Sequence, residues 1–238
     1  MKKDSLGDRM KDYYEDRAKT YLTRRTPVIM RLDGKAFHTF TRGCTKPFDE
    51  KLSTCMVDTT RFLMQNIQGA KLGYTQSDEI SLLITDFDKL ETEAWFNYNV
   101  QKMCSVSAAM ASVQFTLKFA DIETHLCDVD HAYFDSRVFN IPKEDVNNYF
   151  VWRQKDWRRN SVAMMAQSLY SAKELHKQGK ADQLEMIQKK GQDWNALSDK
   201  WKNGTTLLNT KDGIFEMPEL EFQGHSSITG CYLYDESE

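Results

Sequence analysis

The sequence predicts an α+β protein: a split βαβ, ferredoxin-like antiparallel sheet followed by a C-terminal helical appendage. Three observations predict it. Short β-like runs and two long stretches of helical periodicity follow the order strand, helix, strand, strand, helix, strand. After Pro142 the composition changes to charged, helix-compatible sequence. The length, 238 residues, suits one large domain or a domain with a substantial appendage.

The elements follow in order. Thr26-Pro27 leads into the strand Val28-Ile-Met-Arg-Leu32, which Asp33-Gly34 stops. From Asp49 to about Asn66, Leu52, Cys55, Met56, Thr59, Leu63 and Ile67 recur at helical spacing. Two β-like runs come next, Ala70–Tyr74 and Glu79–Ile84, joined through Thr75-Gln76-Ser77-Asp78. A second helix over about Thr92–Lys118 carries Phe96, Val100, Met103, Ser107, Met110 and Leu117 on one stripe, with small residues that allow close approach to a sheet. The fourth strand, Ser136–Ile141, ends at Pro142. Helical sequence then spans about Glu144–Lys202, interrupted near Gly179 and Gly191, and a hairpin turning at Lys211-Asp212-Gly213 follows. The expected division is a catalytic core over 1–142 and an appendage over 143–238, packed on that core.

Composition narrows the function classes. Hydrophobic content of 40% and aromatic content of 12% fit a globular chain. No apolar run approaches the roughly 18–20 residues that span a bilayer, and the charged start MKKDSLGDRMKDYYEDRAKTYL has no apolar signal core. The expected location is cytoplasmic. Five cysteines, odd in number and without CxxC spacing, argue against a disulfide framework and a structural zinc site. His125-Leu-Cys127 with His131 fits a loop better than a metal cluster, since no fourth ligand is evident. With a net charge of −3, nucleic-acid binding must rest on local patches.

The topology gathers two carboxylates. In a split βαβ sheet the end of the first strand meets the hairpin between the second and third strands at one edge. Asp33 falls at the first place, Asp78-Glu79 at the second, and the start of the fourth strand brings Arg137 near. The first helix also begins there, so Lys46 and free backbone N–H groups face the same space. Two carboxylates with a basic rim form a hard-oxygen site suited to Mg²⁺ that keeps water and phosphate as its other ligands. A pair of such ions stabilises both the attacking and the leaving oxygen of a phosphoryl displacement. Gly34 leaves its carbonyl open as a further ligand. Taken singly, Asp33-Gly34 also reads as a hairpin turn, Gln76–Glu79 as a solvated turn, and Lys46 and Arg137 as surface cations. Their convergence at one edge is what favours a site.

At these residues the sequence resembles the tRNA-His guanylyltransferase family. The ordered set is Arg31-Leu-Asp-Gly34, Phe37-His38, Phe40, Lys46-Pro47, Gln76-Ser-Asp-Glu79, Phe134-Asp-Ser-Arg137-Val, and Tyr149 with Trp152-Arg-Gln154 and Asp156. Together they cover roughly residues 25–165. The resemblance implies a polymerase-palm-like core that adds nucleotides to the 5′ end of tRNA in the 3′-to-5′ direction. It implies two Mg²⁺ ions on Asp33 and Asp78, one of them also on the Gly34 carbonyl, with Glu79 in the catalytic set. GTP and ATP are the implied substrates, held by Asp33, Gly34, Lys35, Ala36, Phe37, His38, Ser77 and Asp78, with Lys46, Lys102 and Arg137 on the phosphates. It implies a homotetramer and no membrane partner.

The sequence departs from the family in one place. Members dedicated to tRNA-His carry His-Ile-Asn-Asn-Leu-Tyr-Asn after the Trp-Arg-Gln segment, whereas here Arg158-Arg-Asn-Ser-Val-Ala-Met164 keeps only Asn160 of the most recognisable part. That favours the branch that repairs 5′-truncated tRNAs over dedicated addition of guanosine at −1. Trp152, Arg153, Lys155, Arg158, Arg159 and Asn160 are the expected RNA contacts, since cations with aromatics bind phosphates and stack on bases. The same stretch also reads as an amphipathic helix with core aromatics. Two other functions compete: a nucleotide cyclase using the same carboxylates without RNA, and a non-catalytic RNA-binding module.

Overall fold

The computed structural model describes residues 5–122, 131–217 and 219–222. Its strands are β1 (Val28–Gly34), β2 (Ala70–Gln76), β3 (Glu79–Ile84), β4 (Phe134–Asn140), β5 (Thr205–Thr210) and β6 (Gly213–Met217). Its α-helices are α1 (Ser5–Met10), α2 (Phe37–Phe40), α3 (Glu50–Asn66), α4 (Val100–Ile122), α5 (Val146–Leu169), α6 (Lys180–Lys189) and α7 (Asp199–Asn203). The strands form one sheet in the order β4-β1-β3-β2-β5-β6, and every pairing is antiparallel. The fold is thus a mixed helix and antiparallel-sheet fold with the anticipated element order through β4.

Period-two alternation along β1 explains why the sheet is buried on both sides. Val28, Met30 and Leu32 enter a core completed by Cys55, Leu63 and Met64 of α3 and by Met103, Phe115 and Phe119 of α4. Ile29 faces the other way, into a core with Leu72, Tyr74 and Leu83 of the sheet and Val146, Tyr149 and Phe150 of α5. Arg31 and Asp33 share the face of Ile29, so α5 is the helix that overlooks them.

Several boundaries differ from the sequence expectation, each for a local reason. Asp49 is the N-cap of α3 and not its first residue, accepting from Leu52 N at 2.9 Å. β2 continues to Gln76, because Thr75 and Gln76 still pair with Ile80 and Glu79. α4 begins at Val100 and not near Thr92. Phe96, Asn97 and Tyr98 lie at φ 50°, 50° and 58°, in the left-handed region from which a right-handed helix cannot propagate. β4 starts at Phe134, two residues early, and pairs with β1 along its whole length.

Beyond Pro142, α5 covers one face of the sheet, and the hairpin joins the sheet itself, with β5 pairing β2 from Thr205 to Leu208. The possible metal stretch at 125–127 lies outside the described residues. Among the described residues no helix is long and apolar enough to cross a membrane.

Candidate active site

The backbone alone brings Asp33 to Asp78. In register, Asp33 lies opposite Glu79 of β3 and Asp135 of β4. The Gly34 N–H donates to the Asp78 carbonyl at 3.0 Å, tying the end of β1 to the β2–β3 turn. That turn is two residues, Ser77-Asp78, between the paired Gln76 and Glu79, and Ser77 takes φ 49°. Past Gly34 the chain turns through Ala36 at φ 55° and enters α2, leaving Lys35, Ala36 and His38 exposed. The buried Phe37 anchors this loop among Phe40, Phe115 and Phe134, with ring centroids 5.1–5.3 Å away. Its ring sits directly under Gly34, where an added Cβ would meet it at 2.3 Å. Glycine is required here by close approach.

Four carboxylates meet at this edge, and their partners sort them. Glu79 is buried and bound bidentately by Arg153, at 2.7 and 2.8 Å, with Arg31 also on it at 2.8 Å. Burial pushes its carboxyl above the ordinary range, and the two guanidiniums oppose that push. Asp135 is paired with Arg137 at 2.7 Å. Among the described residues neither Asp33 nor Asp78 has an ion pair, so both remain available. Burial raises the Asp78 carboxyl, the charge of Asp33 adds to the rise, and a hydrogen bond from the Ser77 hydroxyl and the nearby His38 oppose it. A divalent cation would relieve this stress. The donors fit one: hard carboxylate oxygens with an adjacent backbone carbonyl suit Mg²⁺ retaining water and phosphate ligands. Among the described residues no group of three or more His, Cys, Asp or Glu forms a closed metal cage. An ion held here would complete its shell with water and phosphate oxygens.

The carboxylates open onto a cleft. A cavity of about 410 Å³ is lined by Asp33, Asp78, Asp156, Asn160 and Gln167. A second, of about 260 Å³, shares Gln76, Ser77, Trp157, Met164 and Gln167 with the first and continues to His38, Lys46, Met56 and Lys200. Phe48 forms part of its wall, stacked on Trp201 at 4.8 Å and edge-on to Trp157 at 6.3 Å. Gln76 is buried at the junction, and its side-chain oxygen has no partner. The two cavities are thus neighbours with a shared wall: one carries the carboxylates, the other is apolar and aromatic with a lysine rim.

The topology read from the sequence places Asp33, Gly34, Lys46, Asp78, Glu79 and Arg137 at one edge, and the fold gathers them there with Lys35, Ala36, His38 and Ser77, which the resemblance implies; the Phe37 ring, also implied, is instead buried beneath the loop, and Glu79 is taken up by Arg153 and Arg31. Three further expectations need correction. Lys102 is at the far end of the sheet, on the opposite face: it lies over Phe96 at 5.9 Å, in a helix whose start is tied to Thr20 and whose Cys104 contacts Val138. Within one chain it cannot share a ligand with Asp33. Arg153, expected on RNA, is buried because Glu79 and Asp156 hold it. Arg158 is tethered to Asn203 at 2.7 and 2.9 Å and also pairs with Glu221. Trp152, Lys155, Arg159 and Asn160 are exposed, although Arg159 reaches Asp156.

Sequence reasoning set Arg31 and Gln76 within motifs but assigned them no role, and it passed over Phe48, Trp157, Lys200 and Trp201 as site residues. Arg31 was findable, since it is two residues from Asp33 on one face. The aromatic wall was not, because Phe48 and Trp201 are 153 positions apart.

Comparison with known proteins gives the family. Residues 7–142 match the family model described as tRNAHis guanylyltransferase. The chain is 41% identical to a bacterial tRNA(His) guanylyltransferase-like protein solved in complex with ATP, at a TM-score of 0.84 over 92% of this chain and 94% of that one. A bacterial protein of the same description in complex with GTP gives 39% identity and a TM-score of 0.76, over 92% and 93%. The tRNA(His) guanylyltransferase of Debaryomyces hansenii is 27% identical over 84% of this chain and 80% of its own length.

Proposed function

The chain belongs to the tRNA-His guanylyltransferase family, a family of nucleotidyltransferases, and from that premise we propose that it restores tRNA 5′ ends by template-directed 3′-to-5′ nucleotide addition. The observation that carries the reading is the juxtaposition of Asp33 and Asp78, tied by the Gly34–Asp78 backbone bond at the mouth of the cleft. Strands β1 to β4, with α3 and α4 on one face, serve as a palm-like core. Bound Mg²⁺ supplies charge stabilisation for the oxygens that enter and leave phosphorus.

The chain's own residues do the rest. Asp33 and Asp78 would hold the ions, with the Gly34 carbonyl as a further oxygen donor. Glu79 acts from behind: neutralised by Arg153 and Arg31, it fixes the edge on which both aspartates ride. Lys46 and Lys200 rim the groove where a triphosphate would lie, and the wall of Phe48, Met56 and Trp157 offers an apolar seat for the nucleoside. ATP and GTP in the bacterial relatives support nucleotides as the ligands.

Templated choice is favoured by the state of Arg158. It stands where dedicated members carry a His-Asn-Asn-type motif, and here its Nε and one terminal nitrogen are committed to Asn203 and Glu221. Dedicated guanosine addition is the second reading, favoured by the description of the matching family model. The deciding assay offers each labelled nucleotide to a tRNA lacking its first 5′ residue, with the facing base varied. Addition of the complement each time supports repair. Guanosine opposite every base returns the protein to the dedicated enzymes, and turnover of nucleotide without RNA points to a cyclase.

A further inference from the structure

We propose that the Trp152 indole is the stacking platform for the base at the reacting end of the RNA. The proposal rests on the nucleotidyl-transfer reading above and adds a substrate-positioning residue to it.

Trp152 is 53% exposed, whereas Trp95, Trp157 and Trp194 are buried. Its ring is nevertheless held. Tyr149 meets it edge-on at 5.8 Å, and the guanidiniums of Arg153 and Arg31 lie 4.3 and 5.9 Å from its centroid. Both arginines are fixed by the buried Glu79. A ring set in this way loses little freedom when a base lands on it.

Its position fits one occupant. Arg31, beneath the ring, is two residues from Asp33 on the same face of β1, roughly 7 Å along the strand. The nucleotide groove lies to one side of the two aspartates, toward Ser77, Trp157 and Lys46. Trp152 lies to the other side, over β1 toward the edge strand β4, with exposed Arg137 and Phe139 alongside. Phosphoryl transfer places the attacking and leaving oxygens roughly in line through phosphorus. With the nucleotide in the groove, the RNA end must come over the β4 side, where Trp152 is an exposed ring held by the same arginines that anchor Glu79; Tyr133, exposed just before β4, lies under Lys35 instead. Stacking accepts any base, as a templated enzyme requires.

The test uses the full chain and a fluorescently labelled tRNA lacking its first 5′ nucleotide. Binding is read by anisotropy without nucleotide, and separate KM values are read for RNA and for nucleotide. Trp152→Ala is expected to weaken RNA binding about 5- to 150-fold, the usual range for one lost base stack. The KM for nucleotide should stay within about twofold, and Trp152→Phe should keep most of the affinity. As a second readout, RNA should quench indole emission in the wild type, and part of that quenching should vanish in Trp152→Phe. Unchanged RNA affinity in Trp152→Ala overturns the proposal. So does a rise confined to the nucleotide KM, which would put the ring under the incoming base, or a loss that Phe does not rescue. A wild-type chain that extends no RNA brings down the underlying functional reading instead, and shows itself before any substitution is made.

Discussion

Replacing Arg153 by alanine removes the cation that grips Glu79 through two hydrogen bonds of 2.7 and 2.8 Å. Both groups are buried, Glu79 4% exposed and Arg153 4%. Taking one partner from a buried ion pair typically costs about 3–5 kcal/mol, because the other charge is stranded. Arg31 still reaches Glu79 at 2.8 Å, which places the expected cost near the lower end, about 3 kcal/mol. For a chain of this length that is roughly 6–12 °C in melting temperature. The sign of the pH dependence follows from the same charge. Burial already raises the Glu79 carboxyl, and losing Arg153 raises it further. The cost is therefore largest at pH values above the raised Glu79 titration and shrinks as the pH falls and the group takes up a proton. Urea unfolding of the wild type, Arg153→Ala, Glu79→Gln and the double variant Glu79→Gln/Arg153→Met, at pH 7 and pH 5, measures both. The single Arg153 variant should lose less at pH 5, and the double variant should recover at least about 1–2 kcal/mol through the coupling term. A loss below about 1 kcal/mol at pH 7, or one identical at both pH values, would refute the assignment of Glu79 as a buried, charged anchor.

Three further outcomes are expected. Asp33→Ala and Asp78→Ala should each abolish nucleotide addition with Mg²⁺ supplied, while the melting temperature stays within a few degrees; near wild-type turnover in either contradicts the two-metal role. Mg²⁺ affinity, followed by calorimetric titration, should fall as the pH drops through the raised Asp78 value, since a protonated carboxyl does not ligate; Asp78→Asn should flatten that part of the profile, and an equally steep profile in Asp78→Asn would count against it. Gly34→Ala drives a methyl into the Phe37 ring and should cost about 1–3 kcal/mol together with most activity; adding Phe37→Leu should restore part of the stability, and no recovery would mean that the contact is not the cause.

Much of this protein was legible in one dimension. The alternation of Val28, Met30 and Leu32 with Ile29, Arg31 and Asp33 assigns β1 its two faces, and the Ser77-Asp78 turn fixes where β2 folds back. Those signals are local, and once the crossover is right-handed they bring Asp33 to Asp78. Motif order then pointed to the family. What the sequence could not settle was which charges are spent. Arg153 and Arg158 look like free cations on a basic helix, yet one is buried on Glu79, 74 positions away, and the other is tied to Asn203, 45 positions away. Lys102 stands in a recognisable place in the order of motifs but at the wrong end of the sheet, because α4 starts eight residues later than its periodicity predicts. The aromatic wall of the groove likewise needed α7 brought back against the start of α3. Backbone periodicity is set by neighbours in the chain, whereas pairing, burial and exposure of a side chain depend on what the fold lays against it. For this protein the sequence determined the first four strands and their pair of carboxylates, but not that the C-terminal hairpin extends the same sheet. Only the tertiary structure decided which of the surrounding residues hold the edge in place and which remain free to meet a substrate.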